Sequence, residues 1–362
     1  MTFAETLIAW YEEHGRRLPW RETRDAYRIW LSEIILQQTR IEQGLSYYEH
    51  FTLRYPTVEV LAAASEEAVL KSWQGLGYYS RARNLHKAAR QIVEQYGGRF
   101  PETYEGIRSL SGVGRYTAAA IASFVFRLPY PVIDGNVYRL TARCFGIDTP
   151  IGTSQAYSEF EQLLMRLIDR RRPDLFNQAM MDFGSTYCKP LAARGTAVTC
   201  LPGCSTCVLA DRCVAYREGK VTLLPVKGAA KAVCQRYFYY LDIRWQEGGS
   251  MRMWMQRRQK NDIWKWLYEV PLIETAHPLE PTGIEEKLKQ RVEAIGGVDV
   301  AKIECRKSVT HKLTHQHIVA VYTRITLGKP PLHQPENIIT TTPEEAAKMP
   351  VSRLMERLLS AR

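Results

Sequence analysis

The chain has 362 residues, too many for one comfortable hydrophobic core and enough for two domains. Its 45% hydrophobic and 24% charged residues are ordinary for a globular protein, and its formal net charge of +11 favours a polyanionic partner such as nucleic acid. The longest uncharged apolar run, residues 117–126, is too short to cross a bilayer, and the first residues hold no apolar signal core. We therefore expect a cytoplasmic, monomeric protein that binds no membrane.

Residues 1–217 show the apolar spacing of helices joined by short loops. The predicted helices cover residues 26–50, 66–72, 80–96, 116–126, 155–169 and 175–187. Residues 218–232 lose this periodicity and contain a proline and glycines, which predicts a linker.

Residues 233–362 are richer in aromatic and β-branched residues. The predicted elements are strands at 233–245, 251–258 and 317–327, a hairpin turn at 246–250, and amphipathic helices at 283–295 and 352–361. The predicted fold class is therefore a multidomain protein, in which an all-α domain precedes an α+β domain.

Two glycines stand just before an alanine-rich apolar run in LSGVGRYTAAAIASF. Gly112 and Gly114 allow backbone torsions that other residues resist. The helix that follows would expose unpaired N–H groups, which bind anions. An ordinary turn between two helices is the alternative interpretation.

Five of the eight cysteines crowd into residues 188–213. They follow a pattern of Cys-x2-Cys-x5-Cys after an earlier pair, which indicates a metal site in a reducing compartment. Four thiolates can hold a zinc ion or an iron–sulfur cluster, and the spacing does not separate the two. The remaining Cys144, Cys234 and Cys305 are expected to be isolated, buried or inert thiols.

Two carboxyl groups are candidates for acid–base chemistry. Glu33 falls within the apolar stripe of a predicted helix, between Ile29 and Leu36, where loss of water would raise its pKa toward the range of a general acid. Asp134 stands before Gly135 at the start of another predicted helix. The structural alternatives are a buried ion pair for Glu33 and a helix cap for Asp134.

Three histidines follow the spacing His-x3-His-x-His at His311, His315 and His317. Taken by themselves they fit either a zinc site or a polar strand edge.

The glycine turn, the downstream VIDGNVYRL and the terminal Cys-x2-Cys-x5-Cys together resemble the endonuclease III superfamily of helix-hairpin-helix DNA glycosylases. This resemblance implies a [4Fe-4S] cluster held by Cys-x6-Cys-x2-Cys-x5-Cys. The chain departs from that pattern, because Ala197 stands where the first cysteine is expected. An insertion after the first ligand would make the ligands Cys188, Cys204, Cys207 and Cys213, with Cys200 as the alternative first ligand.

The resemblance is closer to the MutY adenine glycosylases, whose SE-x-x-LQQT motif is similar to residues 32–39. GLGYYSRARNLH and FNQAMMD are also similar to that family. The resemblance implies that Glu33 protonates adenine, while Asp134 stabilises the sugar cation or traps it covalently before water attacks. The same active pocket would contain Arg21 and Asn136.

The resemblance also assigns DNA-contacting roles. Gln178 would touch the flipped adenine, and Gln38 and Tyr78 would wedge into the base stack. The turn at Gly112 and Gly114 would bind a backbone phosphate.

Tyr116 stands where strand-cutting relatives of endonuclease III carry a lysine that forms a Schiff base with the sugar. A phenol cannot form one, so the resemblance implies a monofunctional glycosylase that leaves an abasic site.

In the C-terminal part, Leu313, Thr314 and His315 stand where MutY proteins carry a Phe-Ser-His loop in a Nudix-like domain. Thr314 and His315 would then probe the oxidised guanine. Residues 283–297 lack the glutamate-rich helix that holds Mg²⁺ in Nudix hydrolases, so this domain is expected to recognise rather than hydrolyse.

The resemblance as a whole implies base excision repair of adenine opposite 8-oxoguanine or guanine in double-stranded DNA. A glycosylase/lyase for oxidised pyrimidines is one alternative, which Tyr116 and the added C-terminal domain oppose. A non-catalytic DNA-damage binding protein is another, which the presence of both Glu33 and Asp134 opposes.

Overall fold

A computed structural model describes residues 1–190, 203–228, 233–280, 286–287, 290, 292 and 300–360. The chain divides into two compact units. The first comprises Met1–Ala63 and Asn84–Ala229, and the second comprises Ala64–Arg83 and Ala230–Arg362. Among the described residues, none of the helices is both long and apolar enough to cross a membrane.

The N-terminal part of the chain is helical, as predicted. Its helices are α1 Phe3–His14, α2 Ala26–Leu36, α3 Ile41–Arg54, α4 Val58–Ala63, α5 Glu66–Ser72, α6 Ser80–Tyr96, α7 Tyr104–Ser109, α8 Arg115–Phe124, α9 Gly135–Phe145, α10 Ser154–Leu167, α11 Pro173–Asp182 and α12 Val214–Arg217. A core of buried apolar side chains joins α1, α9, α10 and α11, and Leu7, Phe160 and Phe176 are fully buried there.

The single helix predicted over 26–50 is wrong, because the chain breaks between α2 and α3. Gln38 adopts a left-handed backbone with φ of 58°, which cannot continue a right-handed helix. Thr39 N–H instead bonds the carbonyl of Leu36 at 3.1 Å, closing a turn. This turn places residues 37–39 at the end of α2.

The glycine turn between α7 and α8 uses its two glycines differently. Gly112 has φ of 76°, and a Cβ there would lie 2.6 Å from the Cβ of Asn84, so only glycine fits. Gly114 has φ of −87°, which any residue can adopt, and the space around it is open. Of the two glycines, only Gly112 therefore uses a backbone conformation that other residues resist.

The C-terminal residues form a mixed sheet. Its strands are β1 Cys234–Glu247, β2 Ser250–Arg257, β3 Tyr268–Glu269, β4 Leu272–Thr275, β5 Val300–Lys312, β6 Gln316–Leu327 and β7 Ile338–Thr341. The order is β3-β2-β1-β6-β5, with β4 paired to β1 and β7 paired to β2. The β1–β6 pair is parallel and the β5–β6 pair antiparallel.

The alternation of side chains along β1 gives the sheet two apolar faces. Phe238 and Tyr240 pack on one face with the C-terminal helix Arg353–Leu359, while Leu241 and Ile243 belong to a second cluster on the other face. The predicted hairpin turn is confirmed, because β1 ends and β2 begins around Gly248 and Gly249, both with positive φ. The helix predicted at 283–295 lies mostly outside the described residues.

Residues 64–83 belong to the second unit although they follow the first helices of the chain. The Tyr79 hydroxyl donates to the carbonyl of Val351 at 3.1 Å, and Lys71 Nζ donates to the carbonyl of Met349 at 3.0 Å. Gln74 accepts from the N–H of Val351 at 3.4 Å. These bonds tie α5 and the loop that follows it to the C-terminal residues.

Candidate active site

A cleft of about 810 Å³ opens in the first unit. The predicted site residues that line it are Arg21, Glu33, Gln38, Gly112, Gly114, Tyr116, Asp134, Asn136 and Gln178. Residues far apart in sequence therefore meet in one cavity, because α2, α8, α9 and α11 pack around it.

Glu33 lies in the last turn of α2 and is 7% exposed. Ile29 and Leu36 line the cleft beside it, so the expected burial of this carboxyl is confirmed. Burial raises the pKa of Glu33 to about 7, although a hydrogen bond from Tyr116 and the charge of Arg21 act to lower it. A carboxyl with this pKa still holds its proton in a large fraction of molecules near neutral pH.

Asp134 caps the N-terminus of α9 and also lines the cleft, so the capping and the catalytic interpretations are compatible. Its carboxylate accepts bonds from the backbone N–H groups of Asn136 at 2.8 Å and Val137 at 2.7 Å, and from Asn136 Nδ2 at 2.7 Å. Burial raises the pKa of Asp134, while these three bonds oppose the rise because they stabilise the anion. The two carboxyls thus have different environments. Asp134 accepts three hydrogen bonds from N–H groups, whereas Glu33 lies among apolar side chains with a hydrogen bond from Tyr116.

Arg21 is fixed by a carboxylate that the sequence analysis did not single out. Its guanidinium makes two bonds of 2.8 Å to Asp182, which is fully buried and also pairs with Arg16. Burial acts to raise the pKa of Asp182, but the bonds from Arg21 and Arg16 bring it down to about 2. The sequence did offer one indication of this residue. Asp182 follows Gln178 by one helical turn in FNQAMMD, which places the two side chains on the same face of the helix.

The helix α11 presents one face to the cleft. Asp174, Gln178 and Met181 line it at spacings of four and three residues, and Ser185 lines it from the turn that follows. Behind this face the Tyr11 hydroxyl donates to Oε1 of Gln178 at 2.5 Å. The amide oxygen of Gln178 is therefore held by a hydrogen bond from Tyr11.

The N-terminus of α8 opens into the cleft at Gly114. No side chain of the described residues caps this helix, and a Cβ on Gly114 would meet nothing within 4 Å. The first residues of α8 therefore line the cleft without a side-chain cap, which is compatible with the predicted phosphate site.

The two residues that the resemblance assigns as wedges share an uncommon backbone. Gln38 has φ of 58° and Tyr78 has φ of 46°, both left-handed without being glycine. The Tyr78 side chain is 47% exposed. Strain of this kind is concentrated at functional positions, since the surrounding structure has to hold it.

The predicted lesion loop Leu313–His315 joins β5 to β6 in the second unit. Thr314 and His315 are exposed, while Leu313 packs against the apolar cluster of the sheet. The Tyr78 hydroxyl and the Thr314 hydroxyl are hydrogen-bonded to each other. The second unit therefore joins a predicted wedge residue to a predicted lesion-reading residue.

Five of the described cysteines line a small cavity of the first unit, and four of them form the predicted ligand set. These four are Cys188, Cys204, Cys207 and Cys213, the ligand set implied by the resemblance. Cys200, the alternative first ligand, lies outside the described residues. Cys144 is buried, as one of the expected alternatives, and it lines the cavity with a hydrogen bond to Cys213. Cys234 is exposed.

Two of the cysteine sulfurs accept hydrogen bonds from nearby N–H groups. Arg143 Nη1 donates to the Cys188 sulfur at 3.3 Å, and the N–H of Leu209 donates to the Cys207 sulfur at 3.4 Å. A hydrogen bond from Cys144 lowers the pKa of Cys213 to about 6, and burial raises the pKa of Cys207 to about 11.

Each cysteine of a [4Fe-4S] cluster binds a different iron, so the four sulfurs need not converge on one point. Within the part of the chain that the structure describes, no three His, Cys, Asp or Glu side chains could hold one metal ion.

Arg139, which the sequence analysis missed, joins the cysteine cavity to the cleft. Its Nη2 donates to Oδ1 of Asn136 at 2.9 Å, and its Nε donates to the carbonyl of Cys188 at 2.9 Å. Asn136 donates to Asp134, and Arg139 in turn fixes Asn136 while it contacts the backbone of Cys188.

Known proteins match both parts of the chain. Residues 31–169 match the HhH-GPD superfamily of base excision DNA repair proteins, and residues 243–361 match the NUDIX domain. An adenine DNA glycosylase of Buchnera aphidicola subsp. Acyrthosiphon pisum (strain APS) is 30% identical over 319 residues, which cover 86% of this chain and 83% of that protein. The adenine DNA glycosylase of Homo sapiens is 40% identical over 236 residues, covering 63% of this chain and 42% of that protein.

Among solved structures, that of a thermostable thymine-DNA glycosylase has a TM-score of 0.54 at 28% identity. The match covers 60% of this chain and 95% of that one.

Proposed function

The chain belongs to the adenine DNA glycosylases of the HhH-GPD superfamily, and from this premise we propose that it removes adenine paired with 8-oxoguanine, or with guanine, and leaves an abasic site. The observation that carries the proposal is the pair of unlike carboxyls in one cleft. Glu33 is buried and has a pKa of about 7, whereas Asp134 accepts three hydrogen bonds that favour its anion.

The chemistry follows from these two environments. Glu33 donates its proton to the base as the bond from the sugar to the base breaks, so the base leaves neutral. Asp134 faces the sugar cation that forms, and stabilises it or traps it covalently until water adds to the same carbon. The proton from that water leaves the site in the final step, which balances the proton consumed by the base.

Tyr116 limits the reaction to base removal. Its hydroxyl bonds the Glu33 carboxyl, and burial raises the pKa of Tyr116 well above its ordinary value. It carries no amine that could form a Schiff base with the sugar. We therefore expect no strand cleavage by the enzyme itself.

We further propose that Cys188, Cys204, Cys207 and Cys213 hold a [4Fe-4S] cluster. The shared cavity and the N–H donors to sulfur support this assignment. When bound, the cluster would fix the ends of the chain segments that carry these cysteines.

The substrate proposal is tested with duplexes that carry adenine opposite 8-oxoguanine, adenine opposite guanine, and thymine glycol. Products are separated with and without alkali, which cuts abasic sites. We expect strand breaks only after alkali and only from the two adenine duplexes. Breaks without alkali, or release of thymine glycol, would support the glycosylase/lyase alternative instead.

The cluster proposal is tested by iron and sulfide analysis of protein purified without oxygen, with about four irons expected per chain. Cys204→Ser should lose iron, visible absorbance and soluble yield, whereas exposed Cys234→Ser should lose none of them. Stoichiometric zinc without iron would contradict the assignment.

A further inference from the structure

Tyr11 lies on α1, behind the cleft-lining side chain of Gln178. The phenol hydroxyl donates to Oε1 of Gln178 at 2.5 Å. In this arrangement the amide oxygen of Gln178 faces Tyr11 and accepts its proton, so Nε2 points away from the phenol.

The position of Tyr11 is itself fixed by its surroundings. Its half-buried ring packs on the apolar core shared by α1 and α11. The Arg21 guanidinium lies 5.7 Å from the ring centroid, and Arg21 is held in turn by the buried Asp182. Burial raises the pKa of Tyr11, so the hydroxyl keeps its proton as a donor.

The remaining hydrogen-bonding capacity of Gln178 has a definite pattern. An amide oxygen has two lone pairs, so Oε1 keeps one after accepting from Tyr11, and Nε2 keeps its two N–H donors. The side chain thus offers one acceptor beside one donor. Adenine carries an exocyclic amine beside an accepting ring nitrogen, whereas guanine carries a carbonyl oxygen in the place of the amine.

We propose that Tyr11 is a positioning residue that fixes the Gln178 amide in the orientation which accepts from the exocyclic amine of the flipped base. This inference rests on the proposed contact between Gln178 and adenine. Without the Tyr11 hydroxyl the amide can rotate, and the rotated amide presents a donor to the amine and an acceptor to the ring nitrogen. Selectivity for the amine should then fall while the acid Glu33 remains intact.

The test is a double-mutant cycle with Tyr11→Phe and Gln178→Met. The substrates are adenine and unsubstituted purine, which lacks the amine, each opposite 8-oxoguanine. Single-turnover rates are measured for both bases, and the adenine-to-purine ratio is compared among variants, since intrinsic differences in leaving ability cancel in that comparison.

We expect Tyr11→Phe to lower the ratio about fivefold, as loss of one oriented hydrogen bond implies. Gln178→Met should lower it at least as much, and Tyr11→Phe should cause no further change in the Gln178→Met background. Tyr27→Phe is the matched control, because it removes another buried hydroxyl of the same unit, which donates to the carbonyl of Tyr55 at 2.6 Å. It should leave the ratio unchanged.

The outcomes separate the inference from its premise. If Gln178→Met lowers the ratio but Tyr11→Phe does not, the role of Tyr11 is overturned and that of Gln178 stands. Additive effects of the two changes would also overturn it, because Tyr11 would then act independently of the amide. If Gln178→Met leaves the ratio unchanged, the proposed contact with adenine fails and the inference fails with it.

Discussion

At the scale of single residues, the proposed chemistry depends on how the helix α2 buries Glu33. The surrounding apolar side chains withdraw water from the carboxyl, and burial raises its pKa to about 7. Tyr116 and Arg21 oppose that rise without cancelling it. The same carboxyl in water would be almost fully ionised at neutral pH.

The first prediction concerns the proton on Glu33. If it is the acid, the single-turnover rate should fall about tenfold per pH unit above a pH of about 7, because only the protonated carboxyl can donate. Glu33→Gln keeps the shape but has no acidic proton, so adenine release should stop while duplex binding stays nearly unchanged. Base release is measured under single turnover, and a variant retaining a tenth of the wild-type rate would exclude Glu33 as the acid.

The second prediction concerns stability. The change in the Glu33 pKa from 4.5 to about 7 corresponds to about 3 kcal/mol, as an order of magnitude. Because the folded state holds the proton more tightly, this contribution is fully present below about pH 4.5 and is lost as the pH rises to about 7. Relative to wild type, Glu33→Gln should therefore gain free energy of unfolding as the pH is raised through that window.

Denaturant titrations at several pH values measure this gain. The matched control is Glu42→Gln, which removes a carboxyl from an exposed position of α3 and so tests the loss of a glutamate without the loss of burial. A pH-independent difference for Glu33→Gln would show that burial does not hold the proton on this side chain.

At the scale of elements, apolar periodicity predicted the type of most segments but not their interruptions. The break between α2 and α3 depends on the left-handed backbone of Gln38, and nothing in the identity of a glutamine demands that conformation. The turn at Gly112 was predictable from the paired glycines in the sequence. The structure adds the reason, because only glycine avoids the contact with Asn84. The position of Asp182 one turn after Gln178 could have placed it near the site, but its pairing with Arg21 and the link through Arg139 depend on tertiary packing.

The third prediction concerns the loop between β5 and β6. If it reads the oxidised base, changing both Thr314 and His315 to Ala should slow processing of adenine opposite 8-oxoguanine about tenfold or more, as loss of two hydrogen bonds implies. Processing of adenine opposite guanine should hardly change. Rates on both duplexes under single turnover measure the selectivity.

Lys312→Ala serves as the control for this loop, since Lys312 is exposed at the end of β5 and can offer only a charge to the DNA backbone. It should affect both duplexes equally. Equal losses for the double variant would indicate a structural loop, and the absence of any loss would mean that recognition lies elsewhere.

At the scale of the whole molecule, the division of the chain differs from a simple order of domains. A change in composition around residues 218–232 predicted the passage from helical to sheet-forming sequence. It did not indicate that Ala64–Arg83 groups with the C-terminal residues, because that grouping depends on hydrogen bonds such as Tyr79 to Val351. The segment that carries Tyr78 is thus held by the unit that carries Thr314.

The fourth prediction concerns the net charge of +11. If the protein binds a DNA backbone, the logarithm of its affinity should fall steeply and linearly with the logarithm of salt concentration, with a slope near −0.9 per phosphate contacted. Arg115 is exposed directly after Gly114 and lines the cleft, so Arg115→Gln should reduce the magnitude of the slope by about 1. Arg353→Gln removes an exposed arginine paired with Glu356 and should leave the slope unchanged.

Binding of an uncleaved duplex to Glu33→Gln, measured across a salt series, gives these slopes without interference from catalysis. A nearly flat dependence would mean that the charge of this chain does not act on a DNA backbone.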